Sequence, residues 1–123
     1  MLLPFAYSVT VNAAAVGYAD LGHYQEGFNV LEAQVSGTLA AGASCVLTAQ
    51  VSVDGVNYAD AKMLDLTTGT SLTTLVANVT KSSTFGVNIF RVAAFGFFVR
   101  LKIDNSGGTG AAVIGTTALA LVD

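Results

Sequence analysis

The sequence contains few charged residues. Only 11% of its 123 residues are charged, whereas roughly 25% is usual in soluble domains. Five basic residues against eight acidic ones give a formal net charge of −3. Binding to a nucleic-acid backbone needs clustered Lys and Arg, and Arg91, Arg100 and Lys102 are the nearest approach to a cluster. We therefore interpret these three as charges on strand faces and expect no nucleic-acid partner.

Residues that carry chemistry are also scarce, with one Cys, one His and no Trp. Cys45 has no partner for an intrachain disulfide, and its apolar neighbours predict a small buried side chain. His23 has no second His or Cys near it in sequence, which argues against a metal site. No Gly-x-Ser-x-Gly motif surrounds a serine, and nothing singles out Glu26 and Glu32 as a catalytic pair. We expect a protein that is not an enzyme and needs no cofactor.

Long apolar runs are absent as well. The chain has no stretch of about 18 unbroken apolar residues, so no transmembrane helix is predicted. The opening Met-Leu-Leu-Pro-Phe-Ala-Tyr lacks the positive charge of a signal peptide. The expectation is a protein made in the cytoplasm without a membrane partner.

What the sequence does contain is alternation with a period of two. In residues 97–104 (Phe-Phe-Val-Arg-Leu-Lys-Ile-Asp), Val99, Leu101 and Ile103 fall on one face and Arg100 on the other. Side chains of a strand point alternately to opposite faces, so the pattern predicts a half-buried strand. Further strands are predicted over residues 7–11, 28–37, 43–53, 56–64, 72–79, 87–93 and 111–122.

This spacing defines the predicted fold. Strands recur every 8 to 15 residues with glycines between them, one Pro interrupts the chain, and no helical period is sustained. The pattern favours an all-β fold, an antiparallel β-sandwich or jelly roll of seven to nine short strands. Residues 17–27 mix glycines with polar-tipped aromatics and are interpreted as a loop or extended arm. We accordingly divide the chain into an N-terminal strand and arm (1–27) and a sandwich domain (28–123).

Two predicted turns contain residues that could also bind a ligand. Asp54-Gly55 lies between alternating segments and predicts a tight hairpin. Asp54, Asn57 and Asp60 could supply oxygen ligands to calcium, but Asp and Asn are also ordinary turn formers. The glycine-rich residues 105–110 carry no Lys and precede a strand, so they predict a hairpin turn and not a phosphate cradle.

The hairpin segment 51–58 (Val-Ser-Val-Asp-Gly-Val-Asn-Tyr) and the strand 97–103 resemble elements of small β-sandwich structural proteins of tailed bacteriophages. The likeness covers roughly residues 45–122. It implies a capsid decoration or cement protein that stabilises the shell without catalysis. The expected partners are the major capsid protein and other copies of the chain, as a homotrimer, and the expected location is the virion.

The apolar excess supports assembly independently. Hydrophobic residues make up 53% of the chain, more than a domain this small can hide, and large exposed apolar patches mark contact surfaces. The residues predicted to make these contacts are Leu2, Leu3, Phe5, Tyr7, Tyr18, Tyr24, Phe95 and Phe98.

Two alternatives stay open. Tyr7, Tyr18, Tyr24 and Tyr58 could form a platform on which sugars stack, as in a carbohydrate-binding or receptor-binding module of a tail fibre, although the lack of Trp weakens this hypothesis. A neck or tail completion protein with the same fold is the other alternative.

Overall fold

The computed structural model describes residues 5–23, 30–67, 75–93 and 98–121. These residues contain strands and connections but no helix, and every paired strand is antiparallel. The strands are β1 (Phe5–Val11), β2 (Val16–His23), β3 (Val30–Leu39), β4 (Cys45–Ser52), β5 (Ala59–Ala61), β6 (Met63–Asp65), β7 (Leu75–Val76), β8 (Val79–Lys81), β9 (Phe85–Ala93), β10 (Phe98–Asp104) and β11 (Ala112–Leu121).

The strands form two sheets, so the predicted β-sandwich is confirmed. One sheet has six strands in the order β1-β11-β3-β9-β6-β7, and the other has the order β2-β10-β4-β5 with β8 also pairing to β4. Eleven described strands exceed the predicted seven to nine. One reason is that segments 56–64 and 72–79 each include two short strands or their beginnings, and in each case the chain crosses from one sheet to the other. The other is strand β2, which lies where a loop was predicted. Lys62 marks the first crossing, between β5 and β6.

The loop predicted over residues 17–27 is wrong for its first part, which is strand β2. Ala19 and Leu21 are buried, and Tyr18 and Asp20 alternate with them on the outside. β2 pairs with β10 through an irregular register between Val99 and Arg100. The two glycines of this segment suggested a loop, whereas Gly17 in fact allows close packing, since an added Cβ would lie 2.5 Å from Val11.

The core lies between the sheets and follows the predicted alternation. Val99, Leu101 and Ile103 of β10 are almost fully buried, as predicted. Cys45 is a free, buried thiol, and burial, with a smaller contribution from the charge of Asp104, raises the pKa of that thiol. The largest fully buried side chains include Phe90, Leu21, Leu31, Leu47, Met63 and Ile114.

One buried polar residue ties together three connections at one end of the sandwich. The side-chain amide of Asn105 donates hydrogen bonds to the carbonyl oxygens of Asn12 (3.1 Å) and Gly110 (2.9 Å). Its Oδ1 accepts a bond of 3.0 Å from the backbone N–H of Ser44. Gly108 sits against this amide, and an added Cβ there would overlap Asn105 Oδ1. The glycine-rich segment is therefore a turn between β10 and β11, as predicted, but it is not a hairpin, because the two strands belong to different sheets.

Candidate functional site

A row of polar side chains crosses the outer face of the five-stranded sheet. Arg100 of β10 pairs with Asp20 of β2 on one side and with Gln50 of β4 on the other. Gln50 in turn pairs with Asp60 of β5. Opposite residues of neighbouring strands lie close enough to interact, so four strands contribute to one line of donors and acceptors.

Arg100 is the centre of this row and is held from several sides. Its guanidinium carbon lies 3.9 Å from the ring centre of Tyr18 and 3.7 Å from that of Tyr58. Its Nε donates a hydrogen bond of 2.8 Å to Oε1 of Gln50, whose Nε2 donates another of 2.8 Å to Asp60. Cation–π contacts contribute roughly 0.5–1 kcal/mol each at exposed positions, so the side chain is well fixed.

These residues line a cavity of about 220 Å³ together with a residue of the other sheet. Tyr7, on β1 of the six-stranded sheet, forms one wall, and Tyr18, Asp20, Tyr58 and Arg100 form the rest. We call these five residues the Arg100 site. Tyr7 and Tyr18 are each 41% exposed. Three of the four tyrosines considered for a stacking platform therefore come together, and the fourth, Tyr24, lies outside the described residues.

The Arg100 site presents both hydrogen-bond donors and acceptors. Among the described residues, no side chain or carbonyl accepts a bond from the two terminal nitrogens of Arg100. Oδ1 of Asp20 accepts a bond of 2.8 Å from the backbone N–H of Gly22, and a carboxylate has further acceptor capacity. A ligand in this cavity would meet a cation and an anion side by side, framed by aromatic rings.

A second aromatic contact lies further along the same sheet. The rings of His23 and Phe98 stack with their centroids 3.8 Å apart and an interplanar angle of 3°. Phe98 also faces Gly55, where an added Cβ would lie 3.3 Å from its ring. Phe98 is thus half-buried between β2 and the hairpin that follows β4, which leaves part of its ring for an outside contact.

The predicted Asp54-Gly55 hairpin is present between β4 and β5, but its return strand begins at Ala59 and not at residue 56. Asp54 organises the connection. Oδ1 of Asp54 accepts bonds of 2.8 Å from the backbone N–H groups of Val56 and Asn57, and Oδ2 accepts one of 2.9 Å from the Asn57 amide. The bonds from the backbone N–H groups of Asn57 and Val56, followed by those from the Ser52 hydroxyl and the Asn57 amide, hold the pKa of Asp54 well below its usual range. The carboxylate therefore serves the turn. The described residues contain no group of three His, Cys, Asp or Glu side chains suited to a metal ion.

The outer face of the six-stranded sheet is different in character. Among the described outward positions of its four long strands, only Glu32 and Arg91 are charged, and they neutralise each other in an ion pair of 2.9 Å. The other outward residues are small or uncharged. We call the following residues the uncharged face: Ala6, Ser8, Thr10, Val30, Gln34, Ser36, Thr38, Val87, Ile89, Ala93, Val113, Gly115, Thr117 and Leu119.

The structure separates the predicted contact residues into two places. Phe5 and Tyr7, 40% and 41% exposed, lie on β1, the strand at the end of the six-stranded sheet. Tyr18 and Phe98 lie on the five-stranded sheet instead. Leu2, Leu3, Tyr24 and Phe95 lie outside the described residues. The proximity of Asp20, Gln50 and Arg100 depends on strand register, which no local pattern in the sequence specifies.

Fold and surfaces together define a β-sandwich module, and comparison with solved structures agrees. The prophage-derived protein YomS of SPBc2 is similar over 97% of both chains, with a TM-score of 0.51 and 14% identity. The N-terminal cellulose-binding domain of β-1,4-glucanase C from Cellulomonas fimi is similar over 96% of this chain and 80% of that one, with a TM-score of 0.53 and 9% identity. PirA is similar over 93% of both chains, with a TM-score of 0.50 and 8% identity.

At these identities the likeness shows the fold alone. No family model matches the chain, and no curated protein is significantly similar to it in sequence. Within the described ranges, no helix has the length and apolar character to cross a membrane.

Proposed function

We propose that the chain is a non-catalytic structural subunit of a tailed-phage particle, a decoration or cement protein of the capsid. It attaches to the shell and to other copies of itself through the uncharged face and the neighbouring edge of β1. The observation that carries the proposal is the near absence of charge from the outward side of four adjacent strands.

Charge depletion is what distinguishes the core of a protein contact from ordinary surface. The exposed side of a sheet in a free protein normally carries charged residues, which keep it soluble and prevent sheets from associating. Here the five-stranded sheet has such residues on its outer face, including Asp20, Arg100, Lys102 and Asp104. The six-stranded sheet has one neutralised ion pair. We attribute this contrast to contact of the six-stranded sheet with other subunits and of the five-stranded sheet with solvent.

The edge of β1 adds a second means of attachment. In the described part of the six-stranded sheet, β1 pairs only with β11, which leaves one side of its backbone without a strand partner. A free edge accepts a strand from a neighbouring chain through main-chain hydrogen bonds. Phe5 and Tyr7 supply exposed aromatic surface beside that edge, as the predicted contacts require.

The comparisons support the proposal in one respect. The similar SPBc2 protein is described as prophage-derived, and its likeness extends over nearly the whole of both chains. This agrees with the resemblance carried by the hairpin and by strand β10.

The test is adsorption to undecorated capsids of the encoding phage, measured by co-sedimentation, with the free chain sized by light scattering. We expect a trimer that binds saturably, and we expect Thr117→Lys to weaken binding at least tenfold by introducing a charge into the uncharged face. Thr48→Lys, on the outer face of the five-stranded sheet, is the matched control and should bind normally. A monomer that ignores the shells, or a Thr117→Lys variant that binds like the parent, would contradict the proposal.

A further inference from the structure

We infer that the Arg100 site binds a neutral carbohydrate chain, one sugar ring at a time. Four residues of the site lie on or beside the five-stranded sheet, apart from the uncharged face, and Tyr7 of β1 is shared with the proposed assembly contacts. The inference concerns the free chain and does not require the proposed assembly role. Three observations carry it: the tyrosines that line the cavity, the juxtaposed donor and acceptor, and the dimensions of the cavity.

The tyrosines provide aromatic surface for the apolar side of a sugar ring, at Tyr7 and at the parts of the Tyr18 and Tyr58 rings that Arg100 does not cover. Tyr18 and Tyr58 each have the guanidinium of Arg100 over their ring, and Arg100 is itself bonded to Gln50, which is only 8% exposed. Tyr7 closes the cavity from the other sheet. Because these contacts already restrict the Tyr18 and Tyr58 rings, ligand binding costs less conformational entropy than it would with freely rotating side chains.

The polar groups favour a neutral, hydroxyl-rich ligand. Arg100 offers donors and Asp20 offers acceptors on directly opposed positions of β10 and β2. A hydroxyl group both donates and accepts, so neighbouring hydroxyls of a sugar satisfy both partners. A phosphate or carboxylate that paired with Arg100 would meet the like charge of Asp20. The formal charges of the two residues cancel, which leaves little net attraction for an anion.

The cavity is small and open. Its volume of about 220 Å³ lies below the roughly 300–1,000 Å³ of pockets that enclose drug-sized ligands. It therefore fits a single ring of a longer chain that runs across the sheet. Binding of one ring through so few atoms implies affinity on the order of millimolar.

The absence of Trp makes the site directly observable. Intrinsic fluorescence comes from four tyrosines, of which Tyr7, Tyr18 and Tyr58 line the cavity. We would titrate the full chain with cellohexaose, maltohexaose, chitohexaose and mannohexaose, and separately with inorganic phosphate. Tyrosine emission and amide ¹H–¹⁵N spectra are the readouts. The expected result is a saturable change with at least one oligosaccharide, centred on Tyr18, Tyr58 and Arg100, and none with phosphate.

Variants of the site test whether the spectral change arises from binding there. Tyr58→Ala should weaken binding at least tenfold, and Tyr58→Phe, which keeps the ring, should retain most of it. Arg100→Lys should also weaken binding, because Lys keeps the charge but loses the planar group. Val87→Ser, on the uncharged face, is the control and should bind like the parent.

Several results would overturn the inference. They are no change with any oligosaccharide at about 10 mM, phosphate binding at the same residues, or undiminished binding by Tyr58→Ala. Tyr58 precedes the short strand β5 and lies outside the core, so Tyr58→Ala should fold even if Arg100→Lys does not. Capsid adsorption by Tyr58→Ala should be normal, which keeps a failure here distinct from a failure of the assembly proposal.

Discussion

Arg100 and Gln50 oppose each other across β10 and β4, and Nε of Arg100 donates a 2.8 Å hydrogen bond to Oε1 of Gln50. This bond places the guanidinium beside Tyr18 and Tyr58. It also continues through Gln50 to Asp60. Arg100, Tyr18 and Tyr58 are thereby held together on the outside of the five-stranded sheet, whereas the described outward positions of the four long strands of the other sheet carry one ion pair, between Glu32 and Arg91.

Replacing Gln50 by Leu should lower the free energy of unfolding by about 1–3 kcal/mol, because Arg100 Nε and Asp60 both lose a bond at a mostly buried position. Chemical denaturation followed by circular dichroism measures the change. Thr48→Val, one outward position along β4, is the control and should have a small effect. Equal stability of Gln50→Leu and the parent would show that the row is not held by Gln50.

Asn105→Ala should be more damaging, with a loss of about 2–4 kcal/mol. The substitution removes the side-chain partner of the Gly110 carbonyl and of the Ser44 N–H, whereas the Asn12 carbonyl keeps its bond from the N–H of Ala15. Unmet buried polar groups each cost roughly 1–3 kcal/mol. Unfolding midpoints in urea measure the loss. A change below about 1 kcal/mol would mean that the three connections are held by other contacts.

Two neighbouring glycines offer a matched pair. Gly108→Ala should destabilise the fold, because the new Cβ would overlap Asn105 Oδ1 and lie 2.9 Å from the Ser44 nitrogen. Gly107→Ala should be tolerated, since nothing lies within 4 Å of an added Cβ there. Thermal unfolding of both variants provides the comparison. Equal unfolding midpoints for Gly108→Ala and Gly107→Ala would contradict the close packing around Asn105.

Asp54 should make the hairpin sensitive to acid. Its pKa in the folded chain lies below the ordinary 3.8, mainly because the N–H groups of Asn57 and Val56 bind the carboxylate. A lowered folded-state pKa means that the stabilisation is present above pH 3.8 and is lost as the pH falls through the folded value. Amide shifts of Val56 and Asn57 should therefore stay constant down to pH 4 and move only below it.

Asp54→Asn is the control for this titration, because it cannot ionise and Asn still favours a turn. The variant should show no local titration at these two amides. Movement of the parent's Val56 and Asn57 signals at or above pH 4 would contradict the hydrogen-bonding account of the hairpin.

Much of the fold follows from local pattern, because burial of one face imposes a period of two. The alternation in β10 and the Asp54-Gly55 hairpin are both confirmed. The strand β2 was missed because Gly17 and Gly22 suggested a loop, although Ala19 and Leu21 alternate with Tyr18 and Asp20. The sheet crossing at Lys62 has no comparable local signal, since β5 and β6 are three residues each.

The Arg100 site was only partly predictable. Tyrosines are candidates for stacking on sugars by residue type alone. No local sequence pattern indicates that positions 7, 18, 58 and 100 lie close together in the fold. Their meeting depends on the pairing of β10 with β2 and β4 and on the packing of β1 against β2. The uncharged face was also only partly predictable. The composition shows that charged residues are few, but it does not show which sheet lacks them.

Hydroxyl-radical footprinting of the chain, free and bound to undecorated capsids, tests the assembly account most directly. The account predicts that Val87, Val113 and Phe5 become protected on binding, while Tyr58 on the opposite sheet keeps its reactivity. Protection of Tyr58 with unchanged reactivity of Val87 and Val113 would contradict it.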